Sequence, residues 1–148
     1  MEGIIRFNPP LLLAVTAMGT VQLFKFLHSW VRFGRPDFTR LVGTGGMPSS
    51  HAASVTALST SVGLQAGWET PLFGATAFFS LVIMYDATGI RRAAGRQAQV
   101  LNRMLEELRD YHKLEPVRLK ELLGHTPMEV FAGAAYGCLL AFLLNPRI

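Results

Sequence analysis

The sequence predicts an all-α fold, a polytopic membrane helical bundle with about four transmembrane helices and one amphipathic helical segment. Three observations carry that expectation. Half of the 148 residues are hydrophobic and only 16% are charged, well below the roughly one quarter usual for soluble domains. The apolar residues gather into four runs of about the length that crosses a hydrocarbon core. The charged residues gather between those runs, mostly in two segments. The length suits a single domain over residues 1–148.

The first run, residues 9–31, is apolar apart from Gln22, Lys25, His28 and a few hydroxyls. Pro9 and Pro10 suit a first helical turn, where a missing N–H costs nothing. Residues 32–47 are basic and contain Gly43, Gly45 and Gly46, which is loop chemistry. The second run, 49–66, is small and apolar, with Ala52, Ala53 and Ala57 suited to close helix approach. Gly67, Glu69, Thr70 and Pro71 read as a short turn. The third run, 71–89, ends in Tyr85-Asp86-Ala87-Thr88-Gly89. Residues 91–121 alternate Val100, Leu101, Met104, Leu105 and Leu108 with charged groups at helical spacing. They read as a helix in solvent or on the membrane surface, broken near Pro116. The last run, 126–144, is apolar except for Glu129 and ends at Asn145-Pro146.

Charge gives this arrangement a direction. Four crossings put the N-terminus, the 67–70 turn and the C-terminus on one side. Of the 14 lysines and arginines only Arg6 and Arg147 fall there, and the other 12 lie on the opposite side. The positive-inside bias makes that opposite side cytoplasmic, in a multi-pass cell membrane. The net charge of +4 is accounted for by such loops and by lipid headgroups, so nucleic acid is not an expected partner. A lone Cys138 in an apolar run excludes a disulfide framework or a cysteine metal site. The first eight residues, with Glu2 and Arg6, do not read as a cleavable signal.

The same crossing pattern collects the chemically versatile residues at one face. Gly45-Gly46-Met47-Pro48-Ser49-Ser50-His51 is a glycine loop entering a helix, whose amides and dipole favour an anion. Pro48 is expected in the first turn, with Ser49 or Ser50 capping it or donating to a phosphate oxygen. The alternative is an ordinary capped helix start. His125 and Glu129 are spaced i, i+4 on one helix face. A carboxylate there fixes the imidazole tautomer and raises the basicity of the other nitrogen. The competing account makes Glu129 a first-turn acid that complements the helix dipole. Lys25 and Arg32 are spaced i, i+7 and either clamp phosphate or snorkel to headgroups, with His28 between them a bystander. Asp86 with Arg91 and Arg92 reads either as an anion site with its orienting carboxylate or as an interfacial ion pair.

These motifs resemble the type-2 phosphatidic acid phosphatase superfamily, and within it the small divergent branch described as acid phosphatase/vanadium-dependent haloperoxidase-related. The matching stretches are GGMPSSH at 45–51, MYDATGIRRAAGRQAQVLN at 84–102 and ELLGHTPMEVFAG at 121–133. The superfamily's first block is met by Lys25 and Arg32, although Phe33 replaces its proline. Its second block is met by Pro48-Ser49-Ser50-His51, with serine for glycine, and the end of its third by His125 and Glu129, with glutamate for aspartate. The third block's Ser-Arg pair is replaced by Arg118 and Leu119, so Arg91 or Arg92 is expected to supply the arginine, with Arg118 or Lys120 behind.

The resemblance implies a lipid phosphatase using a phosphohistidine on His125 and no metal or cofactor. His51 would be the acid and base, and Glu129 would orient the nucleophile. Lys25, Arg32, Ser49, Ser50, Arg91 and Arg92 would bind phosphate, with Asp86 orienting an arginine. A cytoplasmic site suits a lipid phosphate made at the inner leaflet, phosphatidylglycerophosphate first. The expected partners are that substrate and the bilayer, with self-association left open. A reading from another class is a non-catalytic membrane protein that binds anionic lipid or a protein through its basic segment.

Overall fold

Each apolar run begins with a side chain able to take a helix's first amides. Asn8 accepts from Leu11 N–H at 3.1 Å and Pro9 and Pro10 follow, opening α1 (Pro9–Phe33). Gly34 closes it in the left-handed conformation, its N–H donating to Trp30 O. A single turn, α2 (Thr39–Val42), precedes the glycine loop. Ser49 caps α3 (Ser50–Ala66), and Thr70 with Pro71 opens α4 (Pro71–Thr88). Only Gly89 separates α4 from α5 (Ile90–Tyr111), and α6 (Pro127–Leu144) ends the bundle. The computed structural model describes residues 8–42, 45–111 and 124–144. Helix ends fall within two residues of the expected runs, and the break expected near Pro116 lies outside the described residues.

Among the described residues, three stretches are long and apolar enough to cross a membrane: Pro9–Phe33, the α4 end of Pro71–Glu106, and Pro127–Leu144. The expected fourth, α3, is different in kind. It has 17 residues, eleven of them buried, and many carry hydroxyls. α3 packs against α1, α4 and α6 at once and is the centre of the bundle. A helix shielded by protein on all sides can be polar at membrane depth, provided its groups find partners.

They do. Thr56 Oγ1 donates to Ala52 O at 2.7 Å and lies 3.1 Å from Ala134 O on α6. Thr60 Oγ1 contacts Cys138 Sγ at 3.4 Å, and Ser80 Oγ on α4 reaches Val55 O at 2.9 Å. On α1, Thr20 Oγ1 receives Tyr136 O–H at 2.8 Å. Such interhelical bonds are worth about 0.6 kcal/mol on average and up to about 1.7. Thr56→Val is therefore expected to destabilise the bundle by about 1 kcal/mol, read as a lower unfolding midpoint in mild detergent.

The outer faces carry the apolar load. Leu11, Val15, Val31, Phe78, Phe79, Leu81, Phe131 and Leu143 are all more than half exposed. In water that surface would be an aggregation liability, whereas in a bilayer it is the lipid-facing side.

α3 and α6 approach most closely of all. A Cβ on Gly133 would lie 2.3 Å from Ser49 O, and one on Gly137 would lie 2.2 Å from Ala53 O. Gly133 and Gly137 form the small-xxx-small spacing that lets two backbones meet. This contact draws the start of α3 against the start of α6. It sets the site.

Candidate active site

Two helix starts converge where α3 and α6 begin. The first turn of α6 is a capping box, Thr126-Pro127-Met128-Glu129. Thr126 Oγ1 accepts from Glu129 N–H at 3.3 Å, while Glu129 Oε2 accepts from Thr126 N–H at 3.1 Å. The same Oε2 lies 3.0 Å from His125 Nδ1. The two accounts of Glu129 left open by its spacing are thus both realised. One carboxylate caps the helix and holds the imidazole.

With the carboxylate on Nδ1, that nitrogen carries the proton and Nε2 bears the lone pair. The ring cannot drift along the chain, because His125 N–H donates to Ala87 O at 2.9 Å in the last turn of α4. His125 is only 3% exposed, and its Nε2 is buried. His51, the second residue of α3, is half-buried and meets it edge to face, with ring centroids 6.2 Å apart and planes at 63°. His51 comes from the first turn of α3 and His125 from just before the cap of α6, and they form one pair.

The serines divide the work differently from the expectation. Pro48 is not in the first helical turn; it precedes the cap. Ser49 is the cap, its Oγ accepting from Ala52 N–H at 3.3 Å. Its own N–H donates to Glu129 O at 2.9 Å, and it is fully buried. Ser49 therefore joins α3 to α6 through its backbone while its hydroxyl oxygen caps α3. Ser50, buried at the first helical position, lies beside His51.

Lys25 and Arg32 separate as well. Lys25 is 8% exposed on α1 and its Nζ donates to Gly45 O at 3.0 Å, tying α1 to the loop that delivers Ser49. Gly45 and Gly46 have φ of 106° and 76°, so the loop turns sharply just there. Arg32, two turns further on, is exposed and its guanidinium sits 5.7 Å over the Phe33 ring. Spaced to share one helix face, the two cations have different partners here. His28 is exposed and stacks with Phe24, apart from the pair.

Asp86 is half-buried next to Ala87, whose carbonyl holds His125. Arg91 and Arg92 follow in the first turn of α5, about one turn beyond Ala87; their side chains lie outside the described residues. Arg118 and Lys120 lie outside the described residues altogether. Sequence reasoning missed the double use of Glu129, although Thr-x-x-Glu is a capping signature. It also missed Gly133 and Gly137, although their spacing was a legible signal.

Chemically, an imidazole held by a carboxylate stands beside a second imidazole. In an in-line displacement the nucleophile lies about 3 Å from the reacting atom, and the acid within about 3 Å of the leaving atom. Opposed histidines suit a reaction on a small tetrahedral centre.

Residues 7–140 match the model of the Divergent PAP2 family. The chain is 43% identical over 148 residues to the uncharacterized membrane protein YuiD of Bacillus subtilis (strain 168), covering 93% of this chain and 94% of that one. No solved structure matches the chain.

Proposed function

Because this membrane protein belongs to the Divergent PAP2 family, we propose that it is a lipid phosphate phosphatase whose nucleophile is His125. The observation that carries the reading is the set of contacts at that ring, with Nδ1 on Glu129 at 3.0 Å and His51 across a 6.2 Å centroid separation. Nε2 attacks phosphorus and the N–P bond forms as the ester P–O bond breaks. His51 gives its proton to the leaving alkoxide. Water then loses a proton to His51 and displaces the phosphoryl group, releasing inorganic phosphate and restoring His125. Negative charge on the equatorial oxygens is met by Lys25, by the start of α3 at Ser50, and by an arginine of the 91–92 pair, with Asp86 orienting it.

The charge distribution supports a cytoplasmic site, with 12 of 14 lysines and arginines on the side of the histidines. A phosphomonoester made at the inner leaflet then fits best, phosphatidylglycerophosphate first. Phosphate release from a panel of lipid phosphates is the test, run with the purified protein beside His125→Ala and His51→Ala. Turnover by the wild type alone supports the reading. Equal background release from all three would remove it, leaving a non-catalytic lipid- or partner-binding protein.

Two neighbours are expected to behave unequally in the same assay. Lys25→Met should lower turnover more than Lys25→Arg, since arginine keeps a charge at the loop. Arg32→Ala should leave turnover within about fivefold, because exposed charge contacts are worth about 0–1 kcal/mol.

A further inference from the structure

α5 presents a face that no described element covers. Val100, Leu101, Met104 and Leu108 are each about half exposed and Leu105 is 36% exposed. At about 100° per residue they fall on one side of the helix. The side turned inward is a different one, made of Gly95, Ala98 and Asn102. α5 contacts α4, and among the described elements no other contact is comparable. An exposed row of four or five large apolar side chains is costly in water, so something covers it.

We infer that the occupant is the anionic lipid leaflet that α4 enters, with α5 lying along its headgroup boundary. Continuity argues for this. α4 is a spanning helix and α5 follows it after Gly89 alone, so α5 begins where the chain leaves the hydrocarbon. Charge complementarity argues for it too. Residues 90–105 hold Arg91, Arg92, Arg96 and Arg103 and no acidic residue. Arg96 and Arg103, spaced i, i+7, are exposed and run along one flank of the apolar row. From there their stems lie on apolar surface while the guanidinium groups reach lipid phosphates. The acidic residues of α5, Glu106, Glu107 and Asp110, all fall in its last six residues, away from the end that joins α4. This placement keeps the start of α5, one turn from Ala87 and His125, at headgroup depth. It does not depend on whether His125 is a nucleophile.

The test uses the full chain with Cys138→Ser and single nitroxide labels at Leu101→Cys, Met104→Cys or Gln99→Cys, the last on the exposed opposite side. Each is reconstituted in vesicles of equal parts phosphatidylglycerol and phosphatidylcholine, and in phosphatidylcholine alone. A label at Phe79→Cys in the exposed middle of α4 checks insertion. In the anionic vesicles, the 101 and 104 labels are expected to collide with oxygen and be shielded several-fold from a water-soluble nickel complex, unlike the 99 label. Adding Arg96→Gln and Arg103→Gln should weaken that shielding. Nickel access at 101 and 104 equal to that at 99 would overturn the inference. So would spin–spin broadening at 101 and 104 that falls when unlabelled protein is mixed in, because a second copy would then hold the face.

Discussion

His125→Ala is expected to reduce phosphate release to the level of the lipid alone, while the protein still purifies as a folded membrane species. Without the imidazole the nitrogen held by Glu129 to take the phosphoryl group is gone. His51→Ala removes the proton donor and acceptor and should slow turnover by about 10²–10⁴-fold. Glu129 separates two effects that share one carboxylate. Glu129→Gln keeps a capping-box acceptor for Thr126 N–H but removes the charge beside His125 Nδ1. Hydrogen bonds to charged groups are worth about 1.5–3 kcal/mol, so turnover should fall by about 10–100-fold with little loss of stability. Glu129→Ala should lose the same activity and, in addition, about 1 kcal/mol of stability through the lost cap. A thermal unfolding scan beside the phosphate assay resolves the two. Equal stability of the Gln and Ala variants would contradict the capping role.

Gly137→Val is the substitution expected to damage the fold most. The first atom of the new side chain would lie 2.2 Å from Ala53 O and 2.3 Å from Thr56 Oγ1. Ala53 O belongs to a helix backbone, so it cannot rotate away. α6 must move off α3, breaking the Thr56–Ala134 contact and loosening the Ser49 N–H bond to Glu129 O. Overpacking alone costs about 1–3 kcal/mol, and the lost interhelical bonds add to it. The expected result is a strongly lowered unfolding midpoint, or no folded protein in detergent, with phosphate release lost in parallel. Gly74→Ala is the control. Its Cβ would meet nothing within 4 Å, and alanine is the better helix former by about 1 kcal/mol. It should be neutral or slightly stabilising.

Much of the fold was legible because helix ends are local chemistry. Asn8-Pro9-Pro10, Thr70-Pro71 and Thr126-Pro127-Met128-Glu129 each declare a start within four residues. The His125–Glu129 contact was legible from nearby residues too, but through the cap: His125 lies just before Thr126, and the Glu129 carboxylate that reaches back to Thr126 N–H meets its ring as well. Lys25 and Arg32 show the limit of that argument. Their spacing was right for a shared face, yet one side chain turned into the glycine loop and the other stayed at the surface on Phe33. A spacing restricts the backbone and leaves long flexible side chains to their surroundings.

By itself the sequence determined an all-helical membrane chain and the places where its helices begin, since hydropathy and capping act over a few residues. It also determined that His125 and Glu129 would meet. The tertiary structure decided that the hydroxyl-rich α3 is the interior helix rather than a fourth lipid-facing one. It decided that Ser49 joins helices, and that His51 faces His125. Those outcomes rest on the backbone contact of α3 with Gly133 and Gly137. Such a contact depends on groups far apart in the chain and becomes favourable only when all the helices are packed.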